Sequence, residues 1–138
     1  MLGERIEDAA GVDGSAVGLG LLAVRTTFLA EKATRPTRAR FAALGEPWAA
    51  LSGLEVDGYE IRHGATVSLD GPAVLGEDLG FASGPVLGIY LHGLLEQPAF
   101  VRALLGAAPS RSLDEELERL ADAVEPHLEV DRLLEVGG

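Results

Sequence analysis

The sequence predicts one α/β domain over residues 1–138, and three segments carry this prediction. Residues 85–91 form an almost continuous apolar run of strand length, which is typical of a strand covered on both faces in a central parallel sheet. Residues 56–62 alternate between apolar and polar side chains, as a strand with one solvated face does. Residues 97–106 have proline at the first helical position and glycine just past the last one, which indicates a short helix.

The composition agrees with a folded domain and excludes several classes of function. Hydrophobic residues make up 47% of the chain and aromatic residues only 5%, so we expect a core of Leu, Val, Ile and Ala. The net charge of −11, from 11 basic and 22 acidic residues, argues against binding nucleic acid. No apolar run approaches the ~20 residues that span a bilayer, and the N-terminus lacks a signal-peptide pattern. We therefore predict a cytoplasmic protein without membrane partners.

The remaining elements follow in order from local signals. Residues 1–6 are compatible with a helix. Residues 17–24 predict a buried turn or short strand, which continues into a half-exposed strand at 25–28. A short strand is predicted at 38–42, and the Gly-Glu-Pro sequence at 45–47 predicts a turn.

The C-terminal half contains one more strand and one more helix. Residues 66–69 predict a strand that ends at the turn sequence Asp-Gly-Pro of residues 70–72. A capping-box pattern at Ser112 begins the last helix, and Pro126 breaks or kinks it. The helix has an apolar stripe formed by Leu113, Leu117, Leu120 and Val124. Nine acidic residues between 114 and 135 are interpreted as a solvated helix face rather than a docking surface.

Three histidines are candidates for chemistry in a chain that contains no cysteine. The lack of cysteine excludes disulfides, thiolate metal sites and a thiol nucleophile supplied by the chain itself. His92 follows the predicted strand at 85–91, where active sites of open α/β sheets collect, although a lone histidine there is more often structural. His63 also follows a strand, and His127 lies in the acidic tail. The three are too dispersed for a metal site, and no glycine-rich segment completes a phosphate loop.

Four segments taken together are similar to one enzyme family. They are Gly-Leu-Gly-Leu-Leu-Ala-Val-Arg-Thr-Thr-Phe at 18–28, Gly-Tyr-Glu-Ile-Arg-His-Gly at 58–64, Gly-Ile-Tyr-Leu-His-Gly-Leu-Leu at 88–95 and Phe-Val-Arg-Ala-Leu-Leu at 100–105. In order and spacing they resemble the amidotransferase half of adenosylcobyric acid synthases, over nearly the whole chain. The resemblance implies the fold of a partial class I glutamine amidotransferase, a flavodoxin-like three-layer sandwich with a central, mostly parallel sheet.

The resemblance also implies which parts lie outside the chain. In the family, the nucleophilic cysteine lies in a tight turn, Cys-Gly-Gly-Tyr-Gln or close to it, which Met-Leu-Gly follows. Because this chain begins Met1-Leu2-Gly3, residues 1–138 are expected to be the C-terminal portion of the domain, beginning just after the nucleophile turn. The N-terminal strands of the sheet, the nucleophile-bearing segment and the N-terminal synthetase domain are then expected to be missing.

The resemblance assigns the catalytic histidine to His92, in the sequence Tyr-Leu-His-Gly. Its imidazole would accept the thiol proton and return a proton to the departing ammonia. Many class I amidotransferases have Glu two residues later, where this chain has Leu94, as in the cobyric acid branch; the group that orients the ring is therefore open. Glu60 is either such a partner or a strand-exposed carboxylate. Arg62 stands where the family usually has His, which leaves His63 without an assigned role.

The activity implied by the resemblance is the release of ammonia from glutamine, for amidation of corrinoid carboxylates in cobalamin biosynthesis. ATP and Mg²⁺ are implied for the missing synthetase domain, and no cofactor or metal is expected in this chain. Lacking a cysteine, the chain alone is expected to be inactive. The alternatives are a piece of cobyrinate diamide synthase, a piece of the amidotransferase subunit that modifies peptidoglycan precursor lipid, or a non-catalytic remnant that acts as a binding or scaffold module.

Overall fold

The computed structural model of the chain describes residues 1–107, 111 and 113–127. The strands are β1 (Arg5–Glu7), β2 (Ala16–Val17), β3 (Val24–Thr27), β4 (Ala33–Arg40), β5 (Glu55–Arg62), β6 (Ala65–Ser68), β7 (Gly80–Ser83), β8 (Val86–Ile89) and β9 (Leu91–His92). The helices are α1 (Pro98–Leu105) and α2 (Leu113–Val124), with short 3₁₀ turns at Ala49–Leu51, Leu94–Glu96 and Glu125–His127. The mixed α/β class is confirmed.

A four-stranded sheet in the order β2-β1-β3-β6 contains the first residues of the chain. The helix predicted at residues 1–6 is wrong, because the backbone there is bonded to a second strand: the Glu4 N–H donates to the Val24 carbonyl over 2.9 Å. Strand β1 then runs parallel to β3, with Ile6 opposite Thr26. Parallel pairing within the described residues is confined to β1 and β3. The mostly parallel sheet therefore stays an implication of the family resemblance.

A second sheet, in the order β4-β5-β9, is antiparallel throughout. The predicted strand at 56–62 is confirmed as β5, and the short strand predicted at 38–42 belongs to the longer β4. Alternation along these strands produces one buried face, which contains Ala39, Val56 and Leu91, and one solvated face. At Gly58 the strands approach so closely that a Cβ would collide with the His92 carbonyl, which explains the glycine.

The apolar run at 85–91 forms β8 and β9, but its neighbours are not those predicted. Strand β8 pairs antiparallel with β7 in a hairpin, and its residues are only half-buried. The run is nevertheless apolar on both faces because it lies between two clusters. Leu87 and Ile89 pack against the larger hydrophobic core, and Val86 packs against the smaller one.

The two hydrophobic cores differ in size. The larger one is closed by stacked rings of Phe41 and Phe100, whose centroids lie 6.1 Å apart. Its buried members are Ala39, Phe41, Leu51, Val56, Leu75, Leu79, Leu91, Leu94 and Phe100. The smaller core consists of Leu22, Val24 and Phe81. The larger core therefore joins the β4-β5-β9 sheet to α1.

The helices begin and end where the sequence predicts. Pro98 is the first residue of α1, and Gly106 ends it in the left-handed conformation, with φ of 73°. The capping box predicted at Ser112 lies outside the described residues. Helix α2 gives way to a 3₁₀ turn around Pro126, and its apolar stripe is exposed. Among the described residues, no helix is long and apolar enough to cross a membrane.

Candidate active site

His92 is the last residue of β9 and lies on the solvated face of the β4-β5-β9 sheet. It pairs directly with Tyr59 of β5, while the preceding Leu91 pairs with Glu60 on the buried face. The chain then turns sharply at Gly93, whose φ of 85° is in the left-handed region that glycine adopts without strain. His92 is exposed, so its imidazole is accessible to a ligand.

An open cleft with a volume of about 560 Å³ adjoins His92. This volume falls in the range of small-molecule sites. The ionisable side chains among its described lining residues are His92 and Glu96. The rest of the lining is largely apolar, namely Trp48, Leu87, Ile89, Leu91, Gly93, Leu94, Leu95, Phe100 and Leu104. His92 thus lies at the edge of an apolar hollow.

The side chain of Gln97 fixes the segment that follows His92. Its amide nitrogen donates to the Asp57 carbonyl, and its amide oxygen accepts from the Asp57 N–H over 3.2 Å. The Gln97 side chain therefore bonds the backbone of β5 as a neighbouring strand would, at Asp57, which is two residues before Tyr59. Because the strand pairing at His92 and this amide lie on either side of residues 93–96, the backbone around the imidazole is held at both ends.

Glu60 lies on the opposite face of the sheet from His92 and is bonded to two arginines. Its carboxylate oxygens accept hydrogen bonds from Arg35 Nε at 2.7 Å and Arg62 Nε at 2.8 Å. Burial acts to raise the pKa of Glu60, but the hydrogen bonds and charges of Arg35 and Arg62 outweigh it and hold the pKa below its ordinary 4.5. Arg62 also donates to the Asp78 carboxylate at 2.5 Å. The prediction that Glu60 is an exposed carboxylate on a strand is wrong, because its side chain is 1% exposed.

The Glu60 network reaches the strand that leads to His92. The guanidinium of Arg62 lies over the ring of Tyr90, 5.5 Å from its centroid. The Tyr90 hydroxyl in turn accepts from Thr66 Oγ1 at 2.8 Å, and Thr66 is bonded to Thr26 at 2.9 Å. Tyr90 therefore joins the first sheet to the second, immediately before β9.

The first residues of the chain lie beside β8 and Tyr90. Residues 1–3 and residues 88–90 line one apolar hollow of about 220 Å³, together with Leu22, Val24 and Phe81. Residue 90 is two positions before His92. The structure thus brings Met1 close to β8 and to Tyr90, the residue that precedes β9.

The other histidines do not join this site. His63 is half-buried, and its Nδ1 is buried without a hydrogen-bond partner among the described residues. His127 is exposed in the 3₁₀ turn after α2. Leu94, at the position where many amidotransferases have Glu, is buried in the larger core. In the described residues no group of three or more His, Cys, Asp or Glu side chains is placed to hold a metal ion.

Sequence reasoning did not identify Gln97 or Tyr59 as parts of this site. The signal for Tyr59 is the alternation in β5, since a strand that buries Glu60 must turn Tyr59 to the other face. For Gln97 no local signal exists, because its side-chain amide bonds to a residue 40 positions earlier in the chain.

A mixed α/β domain with an exposed histidine at a strand end, beside a small-molecule cleft, is compatible with a hydrolase or transferase of the amidotransferase class. Comparison with known families specifies the class. The profile of the CobB/CobQ-like glutamine amidotransferase domain matches residues 1–100, which include β1 to β9 and His92. The chain belongs to this family.

The similar curated proteins narrow the relationship to cobyric acid synthases. The protein of that name from Variovorax paradoxus (strain S110) is 48% identical over 136 residues, covering 94% of this chain and 28% of the relative. The one from Polaromonas naphthalenivorans (strain CJ2) is 44% identical over 139 residues, with the same coverage of 94% and 28%. The one from Paracidovorax citrulli (strain AAC00-1) is 47% identical over 134 residues, covering 91% and 27%. The chain thus spans little more than a quarter of the length of these relatives.

Proposed function

We propose that this chain is the histidine-bearing portion of a glutaminase domain that supplies ammonia for amidation of a corrinoid in cobalamin biosynthesis. One observation carries the proposal: the exposed imidazole of His92 at the end of β9, beside an open cleft, in a chain that belongs to the amidotransferase family. The names of the similar curated proteins favour cobyric acid synthase over cobyrinate diamide synthase.

In the proposed reaction, His92 transfers protons to and from a cysteine that this chain does not contain. The imidazole accepts the thiol proton, and the thiolate attacks the side-chain amide carbon of glutamine. His92 then gives a proton to the amide nitrogen, which leaves as ammonia while a thioester remains. Water hydrolyses the thioester and releases glutamate. Imidazole suits both steps because its ordinary pKa lies near neutral pH.

The first residues of the chain lie near the segment that leads to His92: residues 1–3 and 88–90 line the same apolar hollow, and residue 90 is two positions before His92.

We assign the remaining chemistry to parts of the protein outside this chain. The relatives are more than three times as long as the segment they share with it, which leaves room for a synthetase domain. ATP and Mg²⁺ would act there on corrinoid carboxylates, and the described residues of this chain offer no metal-ligating group for them. The partners proposed for this chain are glutamine, the nucleophile-bearing segment and the synthetase domain.

The first test reads the DNA upstream of the Met1 codon. An in-frame sequence for Cys-Gly-Gly-Tyr-Gln or a close variant is expected. The polypeptide from that frame is then assayed for ammonia release from glutamine. His92→Asn should lower kcat by about 10²- to 10⁴-fold, the usual contribution of a general acid–base. His127→Asn is the matched control and should leave kcat unchanged, because His127 is exposed on another element. Full activity of the His92→Asn protein would refute the assignment.

A second candidate function is a non-catalytic binding or scaffold module. The absence of cysteine from the chain favours it, since His92 has no thiol to activate within these residues. A stop codon in frame immediately before Met1, with a promoter behind it, would support this alternative. The purified chain is in either case expected to release no ammonia from glutamine, and release that His92→Asn abolishes would contradict both candidates.

A further inference from the structure

The group that orients the His92 imidazole is not the one expected from other amidotransferases. A catalytic histidine needs a fixed ring, because a proton passes only in the correct geometry. The residue two positions later is Leu94, which is apolar and buried in the larger core. Glu60 is on the opposite face of the sheet, and its two carboxylate oxygens accept from Arg35 and Arg62. Neither side chain is available to the ring.

Tyr59 is the side chain that the sheet places beside the imidazole. The register of β5 and β9 sets Tyr59 directly opposite His92. Directly paired residues have their Cβ atoms about 4.5–5.5 Å apart on the same face of the sheet. Both residues are exposed, as the shared outer face requires, with 58% of Tyr59 accessible. Among the described residues that line the cleft, His92 is present and Tyr59 is not. Tyr59 is thus beside His92 in the sheet but outside the lining of the cleft.

The backbone of this pair is fixed on both sides. Gly58 allows the closest approach of the two strands at the His92 carbonyl, and the Gln97 amide bonds Asp57 on the other side of Gly58. A cross-strand aromatic pair on a fixed backbone restricts the rotamers of both members.

We propose that Tyr59 is the positioning residue of His92: its aromatic ring packs against the imidazole and holds it in the orientation that faces the cleft. This inference rests on the proposed role of His92. The proposed contact is between the two rings, because no hydrogen bond joins the Tyr59 hydroxyl to the imidazole among the described residues. Phenylalanine at position 59 should therefore still hold the imidazole in its orientation, and leucine should not.

The experiment is nuclear magnetic resonance of the 138-residue chain, which has only three histidines. Their Cε1–H signals are assigned with the variants His63→Gln, His92→Gln and His127→Gln. The wild-type chain should show a nuclear Overhauser effect between the Tyr59 ring and His92, an upfield ring-current shift of His92, and three-bond couplings of a single χ1 rotamer. Tyr59→Phe should keep the shift and the couplings. Tyr59→Leu should lose the shift and give averaged couplings.

The control is Ile61→Leu, a change on the same face and strand two residues away, which should leave all three histidine signals in place. Unchanged His63 and His127 signals show that the variants are folded. A wild-type chain without the Overhauser effect overturns the inference, and so does a His92 ring that keeps a single rotamer in Tyr59→Leu. Because no glutamine is used, this outcome is independent of the activity of His92→Asn, which tests the proposed function.

Discussion

The inner and outer faces of the β4-β5-β9 sheet are built from alternate residues of the same strands, yet they differ in burial, charge and exposure to ligands. On the inner face, Val56, Glu60 and Leu91 are nearly inaccessible to water. On the outer face, Tyr59 and His92 are exposed. Successive side chains of a strand point to opposite faces, and this alternation alone separates the buried residues from the exposed ones.

Charged residues show the same division. On the inner face, Glu60 is bonded to Arg35 and Arg62 and is almost fully removed from water. On the outer face, Arg38 pairs with Asp57 in a bidentate contact of 2.7 and 3.3 Å, and both side chains are solvated. Similar hydrogen-bond lengths thus occur in very different surroundings. We infer that the inner face contributes much more to stability than the outer face, and three substitutions test this difference.

The largest expected effect on stability is that of Leu91→Ala. Leu91 is 5% exposed in the larger core, so its truncation leaves a cavity and should lower the free energy of unfolding by about 3–4 kcal/mol. The matched control is Leu95→Ala, four residues later on the same chain segment. Leu95 is 70% exposed, so its truncation should cost no more than about 0.5 kcal/mol. Urea unfolding followed by circular dichroism measures both, and equal losses would contradict the division.

Glu60→Gln should have the next largest effect. The amide retains the shape of the carboxylate but not its charge, so Arg35 and Arg62 each lose a charged acceptor, and Asp78 remains the one carboxylate bonded to Arg62 among the described residues. We expect a loss of about 2–3 kcal/mol at neutral pH, the scale of a charged hydrogen bond. A chain that tolerates the change within about 0.5 kcal/mol would show that the network contributes little.

The pH dependence of this loss has a definite sign. The folded pKa of Glu60 lies below the ordinary value of 4.5, so its ionised form is the one that folding favours. The stability it supplies is complete above pH 4.5 and is lost as the pH falls through the lower folded pKa. The difference between wild type and Glu60→Gln should therefore be constant near neutral pH and shrink below 4.5. Measuring the difference cancels the titration of the other acids, and a difference that grows on acidification would contradict the assignment.

Local chemistry explains which elements could be predicted from the sequence. Alternation identifies β5, and Pro98 with Gly106 identifies α1, because both signals act within a few residues. The strand at Arg5–Glu7 could not be predicted, since its extended form depends on pairing with β3, about 20 residues later. The strand that pairs with β8 could not be predicted either, because an apolar run indicates burial but not which neighbour provides it.

In the candidate site, too, some features could be predicted from the sequence and others could not. His92 could be identified from the family resemblance, although its catalytic role stays a prediction. The burial of Glu60 could not be predicted, because it requires Arg35 from 25 residues earlier to satisfy the carboxylate. The pairing of Tyr59 with His92 depends on register, and register is set by packing of the whole inner face rather than by either residue.

The smallest expected effect is that of Asp57→Asn on the outer face. The change removes the charge that faces Arg38 but leaves the Asp57 backbone, which Gln97 holds, in place. Water and ions screen such an exposed pair, so the urea midpoint should move far less than for Glu60→Gln. Whatever difference remains should vanish in about 1 M NaCl, where the Debye length is about 3 Å. The Glu60→Gln difference should persist there, because its charges are shielded by protein rather than by solvent. If both differences respond alike to salt, the two faces do not differ in the way that their burial indicates.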